Sequence, residues 1–76
     1  MPRFTLVIFD RFNVQHSRIK HYDTSTINLE KAFRESLAKL WDGEESFFES
    51  EFERIRMEDD IIGIDFEEES YLFFQN

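Results

Sequence analysis

The chain has 76 residues with seventeen Asp/Glu against nine Lys/Arg, a net charge of −8, and no cysteine. That length suits one domain spanning residues 1 to 76, and the missing thiols exclude disulfide staples and thiolate metal sites. Its 41% hydrophobic and 17% aromatic content, ten residues of it Phe, separates it from disordered acidic tails, which lack the residues that reward ordering.

A domain this small buries only about 60% of the surface its unfolded chain exposes, so added apolar burial, for example in a homodimer, is one expected remedy. The longest apolar stretch, Phe4 to Phe9, is far short of the roughly 20 residues needed to span a bilayer. No membrane association is expected, Met1-Pro2 reads as a natural start, and a reducing cytoplasm fits the composition. The charge is divided unevenly. Residues 1 to 41 carry seven Lys/Arg and four Asp/Glu (+3), whereas residues 42 to 76 carry two Arg and thirteen Asp/Glu (−11). Such asymmetry points to a charged partner.

The run Arg3 to Phe9 is β-branched and aromatic and predicts a strand buried on both faces or central in a sheet. Asp10 to Asn13 predicts a turn, because Asp and Asn side chains bond to nearby backbone. Val14 to Tyr22 alternates weakly, with Arg18 and Lys20 opposite Ile19, and reads as a polar edge strand. The cluster Asp23-Thr24-Ser25-Thr26 offers helix caps, and Leu29, Ala32, Phe33, Ser36, Leu37, Leu40 and Trp41 then recur at helical spacing. Glu35 and Lys39 form a favourable i, i+4 pair, and Gly43 is placed to terminate the helix.

From Asp42 a second helix is expected, with a capping-box pattern and Phe48, Phe52 and Ile55 on one face. A strand reading from Ser50 to Glu58 competes with it. Ile61 to Phe66 predicts a strand, Glu67 to Ser70 a polar connection, and Tyr71 to Phe74 a strand closing a C-terminal hairpin. The expected fold is α+β, a small single-layer antiparallel or mixed sheet packed on one or two helices in the order ββααββ.

Catalytic signatures are missing, and no enzyme, cofactor or metal is expected. His16 and His21 lie five apart, which matches neither one face of a helix nor one face of a strand, and they read as edge-strand histidines. Glu58-Asp59-Asp60 before Gly63 resembles a calcium loop, but Ile62 would occupy a position that needs an oxygen ligand. Asp65 and Glu67 on one strand face could share a divalent ion, but only Arg54 and Arg56 follow Asp42 as supporting cations, so a solvated face is the better reading. With two glycines in all, no phosphate-cradling loop exists.

The acidic half is therefore the candidate surface. On a second helix Glu45, Glu49 and Glu53 would succeed one another at about 6 Å per step, and Asp65 and Glu67 would sit about 6.6 Å apart on the next strand. Glu58, Asp59, Asp60, Glu68 and Glu69 complete the expected partner-binding set. Files of like charge destabilise an isolated helix, which argues that they serve something other than stability. In each of the adjacent pairs Phe47-Phe48 and Phe73-Phe74 both side chains cannot point fully into one small core, so either a two-sided core covers both or one is exposed, and Phe47 and Phe73 are the candidate interface residues.

In size, absence of Cys, and an acidic stretch from Asp42 to Glu69 interleaved with Phe, the chain resembles the small acidic phage-encoded host-takeover proteins. That functional class includes DNA mimics that block histone-like nucleoid proteins, restriction enzymes and CRISPR effectors. The resemblance implies a mode of action, competition with nucleic acid for a basic nucleic-acid-binding protein of a bacterial host, and neither a shared fold nor individual contact residues. Direct nucleic-acid binding is disfavoured by the −8 charge. The alternative expectation is a protein-protein interaction module, antitoxin-like or an assembly subunit, in which the Phe contacts dominate.

Overall fold

A computed structural model describes all 76 residues. It is α+β: β1 (Arg3–Asp10) and β2 (Asn13–Asp23) form a hairpin, α1 (Leu29–Leu40) crosses the sheet, and two short turns of helix follow. β3 (Arg56–Glu58), β4 (Ile61–Phe66) and β5 (Glu69–Gln75) then run as a meander. All four strand pairings are antiparallel, in the order β2-β1-β5-β4-β3. The expected ββααββ order is corrected by the third strand, Arg56–Glu58. The strand alternative for Ser50 to Glu58 holds for its last three residues, and the helix reading for part of what precedes them.

Strand parity builds the core. Phe4, Leu6 and Ile8 of β1, Ile62 and Ile64 of β4, and Tyr71 and Phe73 of β5 lie in register on one face and are all buried. On that face α1 lays down Ala32, Phe33 and Leu37, also fully covered. Phe73 stacks on Phe4 at 4.8 Å between ring centres and meets Phe33 at 5.2 Å. The opposite face carries no helix: Val7, Phe9 and Phe74 are half-buried there, so the first strand is covered completely on one side only. The central strand is β5.

The helix starts later than the cap cluster suggested. Asn28 is the N-cap, its Oδ1 accepting from the Lys31 amide at 2.9 Å. Thr24 and Thr26 instead shape the approach: the Thr24 hydroxyl donates to the Thr26 carbonyl (2.8 Å), and Thr26 Oγ1 accepts from the Asn28 amide (3.0 Å). Capping residues in series compete, and the one whose side chain reaches the first free amide ends the loop. The Glu35–Lys39 pair forms at 3.8 Å, beside Glu30–Arg34 at 3.0 Å.

The strands are joined by tight turns. Asp10 Oδ1 accepts from the Phe12 amide (2.8 Å) in the β1-β2 turn, and an irregularity on β2 next to it shifts the pairing from Phe9↔Ser17 to Asp10↔Asn13. The two later hairpins have loops of two residues, Asp59-Asp60 and Glu67-Glu68. Each places its first loop residue, Asp59 or Glu67, at φ 56°, as such short loops require. The polar connection is thus shorter than expected, and Glu69 and Ser70 belong to β5.

Candidate functional site: an unpaired acidic excursion

Helix α1 ends in a double-bonded reversal. Trp41 is the C-cap, the Asp42 amide reaches the Lys39 carbonyl at 3.3 Å, and the Gly43 amide reaches the Ala38 carbonyl at 3.0 Å. This is the Schellman arrangement, but its left-handed residue is Asp42 (φ 56°) rather than the glycine. Gly43 is needed for space, since a Cβ there would lie 2.8 Å from the Phe48 ring. The reversal throws residues 44 to 55 back over the end of α1.

There the sequence makes a 3-10 turn, Glu45–Phe48, followed by α2, a single turn at Glu49–Phe52. A regular helix of this length would be marginal in water, and its close-set carboxylates repel. What holds the segment is aromatic packing on Trp41. Phe48 meets the indole edge-on at 5.0 Å, Phe52 stacks at 6.3 Å, and Phe66 and Tyr71 approach from the sheet at 4.8 and 5.7 Å. Arg34 lies over the ring of Phe52, 5.3 Å from its centre. Phe48, Phe52 and Ile55 all pack against the core, as one apolar helix face would require.

The carboxylates are consequently turned outward, but not in one file. Glu49 and Glu53 remain a helical pair, joined by the Glu53 amide to Glu49 carbonyl bond at 3.2 Å. Glu45 belongs to the tighter 3-10 turn, whose 3.0 residues per turn rotate it away from that line. The expected file of three is therefore a pair plus an offset residue.

Ion pairing separates the acidic residues into two groups. Between Asp42 and Asp60 there are nine carboxylates and two arginines, a balance of −7 out of −8. None of the nine takes part in an ion pair, and all but Glu51 are exposed. Glu45, Glu49, Glu53, Glu58, Asp59 and Asp60 belong to this group, as do Asp42, Glu44 and Glu51, which the sequence reading left out of the set. Glu67 and Glu68, exposed on the β4-β5 turn, are likewise unpaired.

Asp65 and Glu69 are engaged inside the fold. Asp65 receives two hydrogen bonds from Arg56, at 3.1 and 3.3 Å, and one from the Ser70 hydroxyl at 2.7 Å, with Arg11 at 3.9 Å. The Ser70 hydrogen bond, then Arg56, hold its carboxyl below the usual range. Glu69 takes the Tyr71 hydroxyl at 2.8 Å and faces Arg18 at 3.4 Å. Burial pushes the Tyr71 phenol up to about 12. Arg11 ties the turn down through its backbone amide to the Glu68 carbonyl (2.9 Å) and its guanidinium to the carbonyls of Glu69 (2.7 Å) and Glu67. Nothing local in the sequence marks Arg11 for this work, because its partners lie more than fifty positions away.

The two phenylalanine candidates separate as well. Phe47 is 69% exposed, at the edge of the acidic excursion. Phe73 is fully buried, and its assignment as an interface residue is corrected: its parity on β5 is that of Tyr71, facing α1, and Phe74 is the neighbour that faces outward. No group of three or more His, Cys, Asp or Glu side chains is arranged to hold a metal ion. No helix is long and apolar enough to cross a membrane. Comparison with protein-family models, with curated proteins and with solved structures gives no match.

Proposed function

We propose that the chain is a non-enzymatic binding protein whose excursion from Asp42 to Asp60 competes with nucleic acid for a basic groove on another protein. The observation that carries this reading is the set of nine carboxylates in nineteen residues with no ion pair among them, although six cation-carboxylate pairs form elsewhere. A surface shaped for stability alone would draw on nearby cations, yet Arg54 pairs with none of them and Arg56 turns to Asp65. Unpaired carboxylates fixed on a packed scaffold present a dense negative field, the property by which a basic groove recognises phosphates.

The contact set is Glu45, Glu49, Glu53, Glu58, Asp59 and Asp60, with Asp42 and Glu44 beside them and Phe47 as an apolar anchor. Histone-like nucleoid proteins and CRISPR effectors of a bacterial host are the type of partner this surface fits, which would place its action in the host cytoplasm. A labelled DNA duplex bound to a purified histone-like nucleoid protein is the direct probe. Addition of the chain should release the duplex, the triple variant Glu45→Lys/Glu49→Lys/Glu53→Lys should not, and displacement should weaken steeply between about 50 and 200 mM salt. Equal displacement by the triple variant would refute the reading.

The exposure of Phe47 supports a second reading, an interaction module held mainly by apolar contact. It predicts that Phe47→Ala abolishes binding while the salt dependence stays shallow.

A further inference from the structure

We infer that the helix-free face of the sheet is the interface of a symmetric homodimer, a second copy of this chain being the partner it fits. Register aligns one row of outward positions across all five strands: Ile19, Val7, Leu72, Gly63 and Arg56. The next row runs His21, Thr5, Phe74, Ile61 and Glu58. Ile19 and Ile61 are 64% and 47% exposed, and Leu72 at the centre is exposed too. Ile19, Val7, Leu72, Phe74 and Ile61 thus form an apolar patch over β2, β1, β5 and β4, edged by Arg56 and Glu58 on β3, and an exposed apolar patch marks an association surface.

Three features select a second copy. The first is charge. Outward positions of the five strands hold Arg3, Arg56, Asp23, Glu58 and Asp65, a sum of −1, so seven of the eight net negative charges lie elsewhere. Arg3–Asp23 (3.0 Å) and Arg56–Asp65 (3.1 Å) are already closed within the face. Residues 44 to 55 of the acidic excursion pack on the helix side through Phe48 and Phe52, while its last carboxylates reach the rim of this surface, Glu58 in the second row and Asp59 beside Gly63. Two copies can therefore meet here with most of their charge, Glu58 and Asp59 at the rim excepted, outside the shared face.

The second feature is shape. Above Gly63 lies a hollow of about 380 Å³ bordered by Arg56, Glu58, Asp59, Ile61 and Leu72. A two-fold axis parallel to the strands and passing over β5, the central strand, sets Leu72 against Leu72 of the other copy. It also carries Val7, one strand to one side, onto the Gly63 hollow, one strand to the other side. The same operation brings His21 over Glu58 and Phe74 onto Phe74. The face is thus complementary to itself, as an isologous interface must be.

The third is area. The five strands hold 35 residues, each covering about 3.3 by 4.8 Å of sheet, a footprint of roughly 550 Å² per copy. The total of about 1,100 Å² is at the low end for specific association.

Sedimentation equilibrium between about 1 µM and 1 mM tests this. The mass should rise with concentration from 9.3 kDa toward twice that value. Leu72→Lys puts two ammonium groups on the axis and should weaken the dimer at least about tenfold. Ile19→Lys, at an exposed position near the sheet edge, should weaken it too, and decides the matter should Leu72→Lys fail to fold by circular dichroism. Met57→Lys, on the helix side of β3, should leave the association unchanged. A chain that stays monomeric to 1 mM overturns the inference, as does a dimer that persists in the folded variants or is lost equally in Met57→Lys.

Discussion

Phe73→Ala tests how the core is divided from the binding surface. Phe73 is fully buried, stacked on Phe4 and touching Phe33, and it joins the middle strand of the sheet to α1. Truncating such a residue removes its transfer free energy and leaves a cavity, at a cost of about 3–5 kcal/mol. A chain of 76 residues has roughly 4–11 kcal/mol of stability in total, so the variant should sit near its unfolding threshold. Trp41, the one tryptophan, lies among four aromatic rings and reports unfolding by fluorescence. In urea, at matched protein concentration, the midpoint should fall by about 2 M, and the melting temperature by about 12 °C or more. Phe47→Ala, at a 69% exposed position, should shift neither beyond about 0.5 kcal/mol. A loss below about 1 kcal/mol for Phe73→Ala, or equal losses at the two sites, would refute the division into core and surface phenylalanines.

Glu67→Gly should stabilise the fold by about 0.5–1 kcal/mol, because a side chain at φ 56° carries a steric cost that glycine lacks, and the Arg11 bond is to the backbone; thermal unfolding would show it, and destabilisation would count against the turn geometry. The Ser36 hydroxyl is buried in α1 with no hydrogen-bond partner, so Ser36→Ala should raise stability by about 1 kcal/mol; a measured loss would mean the hydroxyl is satisfied. The folded-state pKa of Asp65 is depressed, so its contribution is complete above the unfolded value of about 3.9 and disappears as pH falls through the lower folded value. Denaturation followed from pH 7 to pH 2 should therefore show a shallower acid limb in Asp65→Asn, and an unchanged limb would remove Asp65 from the account.

Much of the fold is legible because local pattern and tertiary packing agree. The β-branched run before Asp10 and the run Ile61 to Phe66 form the strands their composition marks, and the helical spacing from Leu29 to Leu40 buries Ala32, Phe33, Ser36 and Leu37. The edge position of Val14 to Tyr22 also follows from its polarity, and the whole of β2 is exposed or half-exposed. Disagreement begins at Asp42. There, capping signals and Phe spacing favour a helix, but the aromatic cluster on Trp41 supplies most of the local binding energy and accepts a broken helix, leaving Arg56–Glu58 to extend the sheet. Propensity is a weak term beside that packing.

The candidate surface divides along the same line. Sequence by itself determines that the charge resides after Asp42, because counting carboxylates needs no coordinates. It also determines that the two members of each Phe pair cannot point fully into one core face, because neighbours diverge in either regular structure. Only the tertiary structure decides whether a member is exposed and which one. Phe73 shares the parity of Tyr71 because β5 pairs with β1 in the register Leu6↔Phe73, and that register depends on contacts about seventy residues apart. Only the tertiary structure, too, separates the free carboxylates from Asp65 and Glu69, since Arg11, Arg18 and Arg56 reach those two across strands. Charge is additive along a chain, whereas its neutralisation depends on which distant side chains the fold brings within about 4 Å.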